Sequence, residues 1–222
     1  MDGDKLKYFN QLEALYGDEI FLSPDNHAEK IQTDSTKIVD PNRLRVYNDK
    51  IKNCLKCDLG NSRKNFVFGS GDPSASLLII GEAPGEQEDL SGEPFVGRAG
   101  KLLDKMLMAI NRSRNNDVFI CNVLKCRPPD NRDPKKEEIN ECEPYLINQI
   151  DLIAPKLIVA LGRIAGKTLL GVEKSLKEMR GILHEYHSKP LIVTYHPAAL
   201  LRNPNWKPEA WEDFKWIQKL LK

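Results

Sequence analysis

Four short apolar runs recur along the chain, and segments with helical spacing of apolar residues separate them. Each run is continuously apolar rather than alternating, as expected for strands that are covered on both faces. Strands that alternate with helices imply parallel crossover connections. The four runs are Leu77–Ile80, Val118–Val123, Leu157–Leu161 and Leu191–Tyr195. The pattern predicts an α/β fold, a helix–sheet–helix sandwich with a central four-stranded parallel sheet.

The helices predicted between and after these strands are Ala99–Ile110, Lys135–Ile153, Gly162–Leu170 and Lys207–Leu221. In the last helix, four residues follow helical spacing and are predicted to face the core: Trp211, Phe214, Ile217 and Leu221. Trp206 precedes this helix in a proline-rich loop, and the pattern assigns it no role.

The first 40 residues differ in pattern from the rest of the chain. A short amphipathic helix is predicted from the spacing of Leu6, Phe9, Leu12, Leu15 and Tyr16, and a polar linker follows through Asp40. We therefore predict an N-terminal appendage over residues 1–40 and one domain over residues 41–222.

The net charge of +1 conceals an asymmetry between these two parts. Residues 1–40 contain four lysines and nine acidic residues, and the remainder has 29 basic against 23 acidic residues. A mildly basic domain is compatible with a polyanionic partner, although a solvated mixed surface explains it equally well. No apolar run approaches the roughly 20 residues that span a bilayer, and no signal-peptide pattern is visible. We expect a cytoplasmic monomer that does not bind membranes.

Five cysteines stand at positions 54, 57, 121, 126 and 142. Because disulfides are uncommon in the cytoplasm, a metal site formed by Cys54, Cys57, Cys126 and Cys142 is the leading interpretation, and unrelated buried cysteines are the alternative. Four thiolates suit either zinc or an iron–sulfur cluster, and the spacing does not separate the two. A structural role that fixes long loops is favoured over a redox role. Cys121 lies inside an apolar strand and is predicted to be an inert core thiol.

Polar motifs follow the predicted strands, at the edge where ligands bind in such sheets. The first is GEAPGEQED, the second is NVLKCRPP, and the last is HPAALLR. Since parallel strands deliver these loops to the same edge, Glu82, Asn122 and His196 are predicted to meet in one cleft.

These motifs, together with PFVGRAG and the four cysteines, resemble the family 4 uracil-DNA glycosylases over residues 45–222. The resemblance implies excision of uracil from single- or double-stranded DNA and a [4Fe–4S] cluster on the four cysteines. It places Glu82, Ala83, Gly85 and Glu88 in the loop that positions water and substrate. It further implies that Phe95 stacks on uracil, that Asn122 reads its edge and that His196 lies against uracil O2. The segment formed by Leu200, Leu201 and Arg202 is expected to enter the DNA.

The chemistry of these residue types is consistent with those roles. An enzyme that acts on a base must extrude it from the duplex into a pocket. Asn122 can donate to uracil O4 and accept from N3–H, whereas cytosine would be mismatched. His196 can donate to the negative charge that grows on the departing base. Structural roles remain open: a core aromatic for Phe95, and backbone capping for Asn122, Glu82 and Glu88.

Two other functions remain alternatives. The first is a non-catalytic DNA-binding iron–sulfur protein of the same fold. The second takes GEAPGEQED as a phosphate-binding loop, which its acidic residues and the lack of a P-loop lysine disfavour.

Overall fold

The computed structural model describes residues 42–222. The helix and linker predicted within residues 1–40 lie outside the described residues, so the division into an appendage and a domain stays a prediction. No helix in the described part of the chain is long and apolar enough to cross a membrane.

Six strands form one sheet in the order β1–β3–β2–β4–β6–β5. The four central strands are parallel, which confirms the predicted fold. The strands are β1 (Ser70–Gly71), β2 (Leu77–Gly81), β3 (Val118–Asn122), β4 (Leu157–Leu161), β5 (Leu183–Tyr186) and β6 (Lys189–Thr194).

Two antiparallel edge strands were not predicted. Strand β1 has only two residues, too few to show any pattern. Strand β5 has the sequence LHEY and is half exposed, and it pairs with β6 through a hairpin. His184 lies in this strand, and its Nε2 atom donates to the Met179 carbonyl oxygen at 2.8 Å.

Nine helices are described over residues 42–222: α1 (Asn42–Ile51), α2 (Leu59–Ser62), α3 (Glu86–Ser91), α4 (Arg98–Met108), α5 (Lys136–Ile153), α6 (Gly162–Leu170), α7 (Leu176–Met179), α8 (Pro197–Arg202) and α9 (Lys207–Leu220). The four predicted helices correspond to α4, α5, α6 and α9. The short helices α3 and α8 lie inside the two motif loops that follow β2 and β6.

The core lies on both faces of the sheet. Every residue of β2, β3 and β4 is buried, as the continuously apolar runs predict. Phe214 and Ile217 of α9 are also fully buried. Trp211 is 41% exposed, so the prediction that it faces the core is wrong. Its position on α9 turns it away from the sheet, although its spacing resembles that of its buried neighbours.

The order of the strands determines where a ligand can bind. The chain leaves β2 for β3 on one side of it and later returns to β4 on the other side. Such a reversal opens a crevice at the carboxyl ends of the strands. Gly81 pairs with Asn122 and Leu161 with Thr194, so the strands end together at this edge.

Candidate functional site

A cleft of about 770 Å³ opens at the carboxyl ends of the parallel strands. It brings together most of the residues that the sequence analysis singled out. The predicted residues that line it are Glu82, Ala83, Gly85, Glu88, Phe95, Asn122, His196 and Arg202. The prediction that the three strand exits of Glu82, Asn122 and His196 meet in one cleft therefore agrees with the structure.

The floor of the cleft depends on the absence of a side chain at Gly81. A Cβ atom there would overlap the Asn122 Oδ1 atom and would lie 2.7 Å from the Phe95 ring. Real Cβ atoms do not approach other atoms so closely, so any larger residue would separate the amide from the ring. Gly81 thus allows Asn122 and Phe95 to lie side by side in the cleft.

Phe95 is held in an unusual backbone conformation. Its φ of 55° lies in the left-handed region, which costs a non-glycine residue about 1–3 kcal/mol. Helix α4 packs directly on this turn, since a Cβ atom at Gly100 would overlap the Phe95 carbonyl group. The ring is 6% exposed, and its centroid lies 5.4 Å from that of the His196 ring.

Arg114 fixes this strained turn from behind. Its guanidinium group donates to the Pro94 carbonyl at 2.6 Å and to the Phe95 carbonyl at 2.5 Å. Asp104 of α4 accepts from its Nε atom at 2.8 Å. Arg114 could not be identified from the sequence, because it lies in a polar turn with no motif around it. Only the folded structure brings it to Pro94 and Phe95.

Asn122 ends β3 and is 2% exposed. Its backbone carbonyl oxygen accepts from the Lys125 Nζ atom at 2.6 Å. Lys125 is completely buried. Burial raises the pKa of the Cys121 thiol, and the nearby Lys125 ammonium group opposes that rise. This buried lysine closes the turn after β3 and holds the backbone that presents the amide.

The environment of His196 selects one tautomer of its ring. The Nδ1 atom accepts from the Ala198 backbone N–H at 3.2 Å, at the start of α8. In the neutral ring the proton is then on Nε2. Burial lowers the pKa of His196 to about 4, and nearby Arg202 contributes in the same direction. At neutral pH His196 is therefore an uncharged ring with an N–H donor.

Glu82 follows β2 and has a perturbed carboxyl group. Burial and, to a smaller extent, repulsion by Asp133 raise its pKa to about 7, although Arg163 opposes the rise. Asp133 and Arg163 form an exposed ion pair with a 3.7 Å separation. Neither residue lies in a motif that marks it in the sequence. The loop after Cys126 brings Asp133 to the cleft, and α6 brings Arg163.

Glu88 lines the cleft, but its carboxylate oxygens accept hydrogen bonds from backbone N–H groups. One oxygen accepts from the N–H groups of Val96 and Gly97, at 3.0 and 3.2 Å. The other accepts from the Gly85 N–H at 3.1 Å. Glu88 thus joins the loop after β2 to the turn that carries Phe95. The capping role that the sequence left open for Glu88 is the one its contacts show.

Helix α8 separates the three residues expected to enter DNA. Leu200 is 1% exposed and packs in a core cluster with Tyr195 and Ala210. Leu201 is 43% exposed, and Arg202 lines the cleft. Leu200 anchors the helix, and the other two residues are open to a ligand.

The four cysteines at positions 54, 57, 126 and 142 line one small cavity on another part of the domain. They arrive from the loop after α1, the loop after β3 and helix α5. Cys121 is fully buried in β3, as predicted. Over residues 42–222, no three His, Cys, Asp or Glu side chains form a ready-made site for a metal ion.

Several hydrogen-bond donors point at these sulfur atoms. The Arg63 guanidinium donates to Cys126 Sγ at 3.4 Å, and the Tyr145 hydroxyl donates to Cys54 Sγ at 3.2 Å. The Lys125 backbone N–H lies 3.3 Å from Cys142 Sγ. Burial raises the pKa of Cys126 to about 12 and that of Cys142 to about 11. The donors and the clustered thiols suit a group that binds thiolates.

Comparisons with known proteins agree with this geometry. The model of the uracil DNA glycosylase superfamily matches residues 68–215. A type-4 uracil-DNA glycosylase from Sulfurisphaera tokodaii is 47% identical over 185 residues, which cover 80% of this chain and 84% of that protein. Similar enzymes from Archaeoglobus fulgidus and Thermotoga maritima are 44% and 43% identical, covering 77% and 72% of this chain and 89% and 84% of those proteins. The chain belongs to the uracil-DNA glycosylase superfamily, as a member of the type-4 group.

Proposed function

We propose that this protein removes uracil from DNA by hydrolysing the N-glycosidic bond, and that it leaves an abasic site. The observation that carries the proposal is the meeting of an aromatic ring, an amide and a neutral imidazole in one cleft. Phe95, Asn122 and His196 supply these groups. The type-4 relatives support the same activity.

Base recognition is assigned to Phe95 and Asn122. Uracil stacks on the Phe95 ring, whose backbone conformation is fixed by Arg114. The Asn122 amide donates to O4 and accepts from N3–H, and this pair of hydrogen bonds selects uracil against cytosine. Because Gly81 lets the ring and the amide lie together, one flat base can contact both at once.

Departure of the base is assigned to His196. As the glycosidic bond breaks, negative charge develops on uracil, and the Nε2–H of the neutral ring donates to O2. A preorganised donor at such a position stabilises the transition state more than the substrate. The Ala198 N–H keeps the Nε2–H tautomer in place throughout.

Glu82 is assigned to the water and to the sugar. Its carboxylate, when ionised, accepts a hydrogen bond from the attacking water and stabilises the positive charge on the sugar. Ala83, the next residue, also lines the cleft but has no group that can act as a base, so the role is assigned to the Glu82 carboxyl group. Gly85 and Glu88 shape the loop around it.

DNA binding is assigned to the rim of the cleft, where Leu201 fills the gap left by the flipped nucleotide and Arg202 contacts phosphate. Monomeric behaviour and a cytoplasmic location stay predictions from the sequence.

We further propose a [4Fe–4S] cluster on Cys54, Cys57, Cys126 and Cys142. The shared cavity, the donors at the sulfurs and the type-4 relatives support it. When bound, the cluster would supply four covalent links that hold three distant segments together. Purified protein is expected to be brown with about four irons per chain. Cys142→Ser should lose iron and Cys121→Ser should keep it, whereas one zinc and no iron would contradict the proposal.

Single-turnover release of free base tests the proposed activity. Oligonucleotides that carry one U, T or C are compared, with the wild-type protein and Asn122→Asp. The wild-type protein should release only uracil. The aspartate replaces the donor to O4 with an acceptor, so release should shift from uracil towards cytosine.

Two outcomes would overturn this assignment in different ways. Tight binding of DNA without release of any base would favour the non-catalytic DNA-binding alternative. Undiminished uracil release by Asn122→Asp, with its folding and iron content unchanged, would remove Asn122 from base recognition.

A further inference from the structure

Trp206 lies on the rim of the cleft and has no part in the proposed mechanism. It ends a short 3₁₀ turn, Pro204–Trp206, between α8 and α9. Trp206 is 38% exposed and lines the cleft. Trp211 is similarly exposed, at 41%, but does not line the cleft. Of these two tryptophans, only Trp206 is placed to contact a ligand in the cleft.

The inner face of Trp206 rests on a fixed ring. Its ring stacks on Tyr195 with a centroid distance of 5.3 Å and an interplanar angle of 18°. The Tyr195 hydroxyl donates to Glu209 at 2.7 Å, and the Arg180 guanidinium carbon lies 4.3 Å from the centre of the same ring. Tyr195 therefore has little freedom to rotate, and it holds the indole in one orientation.

Arg180 is itself held by carboxylates. It donates to Asp213 at 2.9 and 3.0 Å and to Glu209 at 2.6 Å. Asp213 also accepts from Thr194, the last residue of β6. The column from Asp213 through Arg180 and Tyr195 to Trp206 thus starts in the core and ends on an open aromatic face.

The charge around this face points to a nucleic acid strand. Four cationic residues line the same cleft beside three acidic ones: Arg132, Arg163, Lys177 and Arg202 against Glu82, Glu88 and Asp133. An exposed, preorganised aromatic ring among cations is the arrangement that proteins use to bind single strands, since every base has a face that can stack. A rigid ring binds at little cost in conformational entropy.

We propose that Trp206 stacks on an unpaired nucleobase close to the flipped uracil in the same strand. The site takes any of the four bases, because stacking does not read hydrogen-bonding edges. This inference rests on the proposed function only in that the uracil-containing strand occupies the cleft. In a paired duplex the neighbouring bases are stacked within the helix, so the contribution of Trp206 is largest on single strands.

The test measures binding without catalysis. Fluorescence anisotropy with a uracil-free, labelled oligothymidylate gives the affinity of the wild-type protein, Trp206→Ala, Trp206→Phe and Trp211→Ala. We expect Trp206→Ala to weaken binding about 5- to 100-fold, with an unchanged dependence on salt because no cation is removed. Trp206→Phe should retain most of the affinity, and the matched control Trp211→Ala should bind like the wild type.

A second measurement separates lost stacking on the DNA from lost packing of residue 206 against Tyr195. Tryptophan emission of Trp206→Phe and Trp211→Phe is followed during titration with the same oligonucleotide. Quenching should disappear only in Trp206→Phe, a variant that keeps an aromatic ring on Tyr195. Quenching that persists in Trp206→Phe, or equal losses of affinity in Trp206→Ala and Trp211→Ala, would overturn the proposal.

The two proposals fail separately. Wild-type protein that releases uracil while Trp206→Ala binds single strands normally would overturn the stacking site alone. Protein that binds through Trp206 and releases no uracil would overturn the proposed activity alone.

Discussion

Arg114 offers the sharpest test of how the pocket is built, because it contacts the backbone of Phe95 and does not line the cleft. Charge-assisted hydrogen bonds contribute about 1.5–3 kcal/mol each, and Arg114 makes two of them to adjacent carbonyls. The left-handed conformation of Phe95 costs about 1–3 kcal/mol. The clamp therefore exceeds the strain while it is intact, and the turn is free to relax once it is removed.

Arg114→Ala is expected to lower kcat/KM for uracil release by about 10- to 100-fold, which corresponds to about 1.4–2.8 kcal/mol. A displaced Phe95 ring loses its contact with uracil before and during the reaction, so KM should rise. Inhibition by free uracil should weaken in parallel. The kcat/KM of Arg114→Lys should lie between those of the wild type and Arg114→Ala, since an ammonium group cannot contact both carbonyls and Asp104 in the same geometry.

The assay is steady-state release from a single-stranded substrate, at a temperature well below the melting temperature of each variant. Arg45→Ala is the control, because it also removes one positive charge, from a residue whose side chain is 70% exposed. A lower melting temperature for Arg114→Ala with unchanged kcat/KM and unchanged uracil inhibition would refute the reasoning. Arg114 would then stabilise the fold without positioning Phe95.

Three further predictions concern the cleft. His196→Ala should slow single-turnover uracil release by about 10²–10³ and leave binding of abasic product nearly unchanged. Burial raises the pKa of Glu82 from its ordinary value of 4.5 to about 7, so the folded state holds an extra proton between these values and loses stability as the pH rises through them. In Glu82→Gln the melting temperature should therefore fall less between pH 5 and 8. Leu201→Ala should reduce activity on duplexes more than on single strands, whereas Leu200→Ala should cost about 2–5 kcal/mol of stability.

Each of these has a contrary result. Weakened product binding by His196→Ala would indicate lost packing rather than a lost donor. If the melting temperatures of Glu82→Gln and the wild type depend on pH in the same way, Glu82 is not the source of that pH dependence. Equal losses on duplex and single strands in Leu201→Ala would exclude a wedge.

The central strands of the sheet could be predicted because they are buried on both faces and are therefore apolar at almost every position. Strand β4, for example, has the sequence LIVAL, and such a run is typical of a strand whose two faces are both covered by helices. Strand β5 was missed because its LHEY sequence is half exposed and has the composition of a surface turn. The strand exits marked Glu82, Asn122 and His196 as neighbours, since parallel strands end at the same edge.

The support behind the cleft could not be predicted in the same way. Arg114 reaches Phe95 across 19 positions, and Trp206 meets Tyr195 only because α8 turns the chain back. A local pattern contains no information about such contacts. The separation of Leu200 from Leu201 likewise depends on which face of α8 meets the core.

The alternation of side chains along β3 limits how this enzyme can vary in evolution. Consecutive residues of a strand point to opposite faces of a sheet, so Cys121 faces one layer and Asn122 the other. Deleting a single residue upstream in β3 would move each later residue back by one position, bringing Val123 to the base-reading position and the Asn122 amide into the dry interior where Cys121 lies. Homologues can therefore change the residues of this strand one at a time, but insertions and deletions should be confined to the loops on either side of it.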